Sequence, residues 1–200
     1  MKNDRIAMYK FLSIGFTYPE EGFCDILDKS ASLVEKSYAA LNKNGYRITG
    51  IRNLKKGLNE LSNKTKNELQ GIYTSLFVSN YPSVPLHPYE SYYKEGLLVS
   101  ESSNELNQIY SDCGLETFDN KEFPDFITFE LEFAAFLIEN TKGCLPVFDK
   151  FFTGHLFSWI FDFLDDLYKF DKVPLFYKSL SSIGKSFLLK EKKTIEADLL

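Results

Sequence analysis

Cysteine and histidine are both scarce in this 200-residue chain. The three cysteines stand at 24, 113 and 144, an odd number at wide spacing, with no C-x-x-C and no Cys/His cluster. That excludes a disulfide framework and a zinc site, and leaves buried free thiols in a reducing cytoplasm as the expectation. The two histidines are His87, in a proline-rich stretch, and His155, at the start of a Phe-rich segment. The first reads as a loop surface residue and the second as a polar helix end. There is no G-x-S-x-G, no Gly-rich phosphate loop and no E-x-x-H pair, so no catalytic constellation, metal site or cofactor is expected. Asp162, Asp165 and Asp166 have different helical phases and read as a solvated face. No run of about 18 apolar residues occurs, so no transmembrane helix or stable membrane insertion is expected. The opening Met1-Lys2-Asn3-Asp4-Arg5 leads into a pattern interrupted by Lys10, which does not read as a signal peptide.

Strand-like alternation is missing too, and helical periodicity runs through nearly everything. It predicts helices over 4–16, 20–42, 50–62, 65–78, 101–113, 124–140, 145–153 and 155–170, with Pro174 opening a last one. Gly114 is placed to cap the fifth of these. Residues 124–140 are apolar nearly all round, which marks a buried central helix. Prolines 82, 85 and 88 forbid a helix over 79–92 and stiffen it. The expectation is an all-α fold, a single bundle of about eight to ten helices. An N-terminal half (1–78) is joined by the Pro-rich loop (79–92) to a C-terminal half (93–200). Two helical halves on one linker leave a monomer or a domain-swapped dimer open.

What the chain has in excess is aromatic rings and misplaced charge. Nineteen Phe and twelve Tyr exceed what a minimal core needs, so some are expected to line a groove. The net charge is −5, yet residues 96–141 alone are −9. Their acids are Glu101, Glu105, Asp112, Glu116, Asp119, Glu122, Asp125, Glu130, Glu132 and Glu139, against the single base Lys121. That concentration argues against nucleic acid and for a basic ligand or peptide, unless it is simply a solvated face. Within it, Glu122-Phe123-Pro124-Asp125-Phe126 places Pro at a helix start and a carboxylate in the first turn. Asp125 is therefore expected to stay ionised, face outward and meet a cation, with Glu122 and Glu130 beside it. An alternative is a small all-α enzyme using Asp125 and Glu130 as paired carboxylates.

Taken together, the motifs resemble the TorD/DmsD/NarJ-type family of redox-enzyme maturation chaperones. Tyr73-Thr74-Ser75-Leu76-Phe77 is similar to the family's aromatic-x-x-L-F, and Pro88-Tyr89-Glu90-Ser91-Tyr92-Tyr93 to its P-(W/Y)-E-S-x-Y loop. Glu122-Phe123-Pro124-Asp125-Phe126, running into Glu130-Leu131-Glu132-Phe133, is similar to its E-x-P-D-H signature and the helix after it. His155-Leu156-Phe157-Ser158-Trp159 and Pro174-Leu175-Phe176-Tyr177 are similar to its H-L-x-x-W and P-F-Y elements. The family histidine after Pro-Asp is Phe126 here, so no role of that imidazole carries over. The resemblance implies an all-α chaperone without catalytic activity. It implies binding of the twin-arginine signal peptide and apo form of a molybdenum-containing oxidoreductase in the cytoplasm, until the cofactor is inserted. It assigns the peptide site to Tyr73, Phe77, Pro88, Tyr89, Glu90, Ser91, Tyr92, Glu122, Asp125, Phe126 and Glu130.

Overall fold

A computed structural model describes residues 1–98, 100–115, 122–140 and 144–198. Among the described residues the regular elements are all helices. The elements are α1 (Lys2–Gly15), α2 (Phe23–Lys43), α3 (Ile51–Ser62), α4 (Lys66–Phe77), α5 (Glu90–Glu95), α6 (Glu101–Asp112), α7 (Ile127–Glu139), α8 (Leu145–Asp149), α9 (Phe157–Lys169) and α10 (Leu175–Asp198). A π-helical segment, Lys150–Leu156, joins α8 to α9. Among the described residues no helix is long and apolar enough to cross a membrane.

Local signals explain several boundaries. Thr65 and Glu68 form a reciprocal capping box at the start of α4, satisfying otherwise unpaired backbone donors. Gly114 takes a φ of 75° just beyond α6, the left-handed conformation that ends helices cheaply. Two boundaries depart from the expected ones. The helix expected over 124–140 begins only at Ile127, because Asp125 and Phe126 are used in a loop pairing described below. The break expected near Gly154 does not occur: the chain widens into the π turn and runs on into α9.

α7 lies at the centre, packed against α1 and the π segment, while α10 packs on α3, α9 and α1. Elements before the Pro-rich loop thus pair with elements after it, and the core is shared. Trp159, Phe163, Phe176 and Phe187 are fully buried in it. One buried ion pair crosses it. Glu191 of α10 accepts from Arg5 Nε at 2.8 Å, Arg5 Nη2 at 2.9 Å and Tyr46 OH at 2.5 Å. A bidentate arginine and a phenol together satisfy a carboxylate that has lost all its water.

The α3–α10 contact is closest at Gly57. A Cβ there would sit 2.7 Å from both the Cα and the backbone N of Phe176. Backbone cannot swing aside as a side chain can. Gly57→Ala gains helix propensity, at most about 1 kcal/mol, but the forced separation of two helices should cost more, about 1–3 kcal/mol. Denaturant unfolding should therefore show a lower midpoint for the variant; an equal or higher one would mean the helices do not approach this closely.

Candidate functional site

Two motif loops meet in a short antiparallel bridge, Tyr89 against Phe126. Glu90 N donates to Asp125 O at 3.1 Å and Ile127 N to Pro88 O at 2.9 Å. The pairing sets the start of α5 beside the start of α7. It also turns Asp125 inward, which corrects the expectation of an outward-facing carboxylate in a first helical turn. Asp125 is wholly buried. Its Oδ2 accepts from Ser91 N at 2.9 Å and its Oδ1 from Ser103 Oγ at 2.5 Å. The side chain therefore caps α5 in trans, where Tyr89, the residue at the cap position, supplies no side-chain acceptor. Tyr110 OH holds the same loop through Pro124 O at 2.9 Å.

Glu130 and Glu90 are equally buried, but their partners differ. Trp159 Nε1 donates to Glu130 Oε1 at 3.1 Å and Oε2 at 3.2 Å. Loss of water first, and the negative charge of Glu90 second, hold the Glu130 carboxyl well above the usual carboxylate range. The Trp159 hydrogen bond opposes this without overcoming it. Glu90 accepts from Lys94 Nζ at 2.7 Å. His155 Nδ1 lies 3.0 Å from Glu90 Oε2, and His155 Nε2 lies 3.5 Å from Glu105 Oε2. The π segment is what presents His155 to α5, and Lys94 also donates to its Gly154 O at 3.1 Å. His155, expected as a polar helix end, is 1% exposed.

Above this buried layer sits an aromatic face. Tyr89 is half-buried, its ring 5.3 Å from Phe126 and 6.0 Å from Phe123, whose own ring is exposed. Tyr89 OH donates to Glu122 Oε2 at 2.5 Å. Burial and that carboxylate together push the phenol up. Tyr92 is exposed and stacks on His87 at 3.9 Å between centroids. Burial lowers the His87 imidazole below its ordinary value. Pro88 is buried beneath this face.

Not every expected site residue lies on it. Tyr73 and Phe77 belong to the core: Tyr73 OH donates to Phe16 O at 2.9 Å, and Phe77 packs edge-on against Tyr177. Nor do the acids of 96–141 form one face. Asp125 and Glu130 point inward, and Glu132 takes a hydrogen bond from Ser13 Oγ of α1 at 3.2 Å. Glu122 is the half-buried acid on Tyr89. Glu116, Asp119 and Lys121 lie outside the described residues. Sequence reasoning missed Lys94, Ser103 and the buried role of His155. Only the i,i+4 spacing of Glu90 and Lys94 could have pointed to any of these. Among the described residues no group of His, Cys, Asp and Glu could hold a metal ion.

Residues 46–165, more than half of the chain, match the model of the nitrate reductase delta subunit family. The chain belongs to this NarJ/TorD-type family of chaperones. It is also similar to the crystal structure of a candidate redox enzyme maturation protein from Archaeoglobus fulgidus. That similarity has 28% identity and a TM-score of 0.59, and covers 92% of this chain and 93% of the other. No curated protein sequence matches it. Family and structural relative make the protein a redox-enzyme maturation chaperone. The family's two loop motifs are those that form the Tyr89–Phe126 bridge.

Glu130 supplies a pH test. Its folded-state affinity for a proton exceeds that of the unfolded chain, so the folded state holds the extra proton. The stability this contributes is complete below the ordinary glutamate value and is lost as pH rises toward the raised one. Glu130→Gln mimics the neutral acid at every pH. Unfolding free energies between pH 5 and 8 should fall with pH in the wild type and stay flatter in the variant, which should be the more stable at pH 8. Parallel pH profiles would show that Glu130 is not the group responsible.

Proposed function

We propose that the protein binds the twin-arginine signal peptide of a molybdenum-containing oxidoreductase in the cytoplasm. It holds the apoenzyme until the cofactor is inserted. The observation that carries this reading is the paired face of Tyr89, Phe123 and Glu122 over a buried layer of carboxylates. A twin-arginine leader offers guanidinium groups followed by an apolar, helix-prone stretch. Guanidinium suits a carboxylate through paired N–H···O bonds, and an apolar segment suits an aromatic groove. Tyr92 extends the apolar surface, while Pro88, Ser91, Asp125 and Phe126 fix the shape of the loops from beneath. Tyr73 and Phe77 support it from the core.

Calorimetric titration with a synthetic twin-arginine leader tests the reading. Binding should weaken with added salt, because partly exposed charges are screened over about 8–10 Å, and a twin-lysine leader should bind less tightly. Glu122→Gln should cost about 1.5–3 kcal/mol, the range for a hydrogen bond to a charged group. Equal affinity for arginine, lysine and uncharged leaders would overturn the assignment.

A further inference from the structure

Three of the signature carboxylates, Glu90, Asp125 and Glu130, are wholly buried, but they are not equivalent. Asp125 is saturated by a backbone N–H and a serine hydroxyl, both from neighbouring elements. Glu130 is hydrogen-bonded to an indole, and burial pushes its carboxyl toward the neutral form, which makes it a poor partner for a cation. Glu90 alone of the three is held by a cation that reaches solvent. Its own side chain has no exposure, His155 has 1%, and Lys94 has 32%. Beside it in sequence, Ser91 is also wholly buried, and its Oγ has no hydrogen-bond partner among the described residues.

We propose that Glu90 is the inner guanidinium site of this chaperone and that Lys94 occupies it until a ligand arginine takes its place. The proposal rests on the leader-binding reading above and goes beyond it, naming the carboxylate that receives the charge and the residue that guards it. Lys94 sits one helical turn from Glu90 on α5, the spacing at which such pairs form. Its ammonium presents a single point charge, which Glu90 shares with Gly154 O. A guanidinium is less strongly hydrated than an ammonium and presents two N–H groups to the Glu90 carboxylate, beside the His155 Nδ1 that lies 3.1 Å from Oε1 and 3.0 Å from Oε2. A leader lysine merely exchanges one ammonium for another and gains nothing. Selectivity for arginine over lysine thus follows from what already fills the site, a form of discrimination through the competing state. The exchange moves no covalent bond and conserves charge: one cation leaves the carboxylate as another arrives.

The test is calorimetric affinity of the folded full-length chain for the synthetic twin-arginine leader, comparing wild type with Lys94→Met. A second readout is the fluorescence of Trp159, the single tryptophan, which lies on Glu130 within the same layer. Lys94→Met should bind about tenfold tighter, equivalent to about 1.4 kcal/mol, with a larger ligand-induced rise in melting temperature. Its preference for arginine over lysine leaders should shrink. Leader binding should alter Trp159 emission in both proteins. Lys94→Gln, which keeps a hydrogen-bonding end on the side chain, serves if the methionine variant fails to fold. Unchanged or weaker affinity in a folded Lys94 variant, with wild-type binding intact, would make Lys94 a structural strut and overturn the proposal alone. A wild-type protein that ignores the twin-arginine leader would overturn the leader-binding reading, and this one with it.

Discussion

The Asp125 carboxylate is the constraint on which the site's architecture depends. It has no contact with water, so its oxygens must be bonded to protein. Its donors come from two other elements, Ser91 N at the start of α5 and Ser103 Oγ in α6. The residue's backbone carbonyl meanwhile accepts from Glu90 N. One amino acid therefore fixes α5, α6 and the entrance to α7 relative to one another. Removing its partners strands a charge, which is far more damaging than losing an exposed pair. This is why the loop before α7 cannot simply extend the helix. Asp125 is committed to Ser91, 34 residues away in sequence, and the Pro124 carbonyl to Tyr110.

Placing three carboxyl groups in one dry layer has an electrostatic consequence. Like charges at short range in a low dielectric cannot all persist, and one of them must take a proton. Glu130 is the one pushed toward the neutral form, by its burial first and then by Glu90 and Asp125 around it. Its neutral form is compatible with the apolar walls of α7, where Leu131, Ala134 and Ala135 are buried. Glu90 and Asp125 have different partners: serine and backbone donors for Asp125, Lys94 and His155 for Glu90. The groups that face Glu90 thus lie on α5 and the π segment. π turns are frequent where a helix must present a side chain out of normal register, commonly at functional sites. Here the turn delivers His155 and Gly154 O together to α5.

Much of the fold was legible from periodicity, because long amphipathic helices such as α3, with Leu54, Leu58 and Leu61 buried, announce their inner face. The site was less legible, for an identifiable reason. A carboxylate beside a proline looks the same in sequence whether it faces solvent or accepts buried donors. The difference is made by Ser91, Ser103 and Trp159, residues whose proximity no local pattern encodes. The same holds for charge: the acidic stretch around 96–141 reads as one surface, yet Asp125 and Glu130 turn into the core while Glu132 turns toward α1. His155 was misread because a break was expected at Gly154. A glycine there has open space around it and imposes no turn. The stretches that resemble the family's motifs are the loops that the Tyr89–Phe126 bridge joins.

Phe126 shows how a change at a signature position is absorbed. An imidazole after Pro-Asp would bring a hydrogen-bonding, titratable group to the base of the aromatic face. Phe126 instead is buried, pairs its backbone with Tyr89, and packs its ring on Tyr89 and Phe129. The bridge uses only backbone N–H and C=O groups, so it is indifferent to which side chain stands there. What changes is the character of the surface above: Tyr89 rests on hydrocarbon, and its hydroxyl turns to Glu122 rather than to a nitrogen beneath it. The polar contacts of the site are thereby divided between an outer acid, Glu122, and an inner one, Glu90, with an apolar floor between them. In the leader-binding reading proposed above, a rigid floor flanked by two anchored carboxylates would lower the ordering cost of binding a flexible cationic peptide. That gain in preorganisation is a physical reason for a chaperone to tolerate a buried carboxylate layer that packing alone would disfavour.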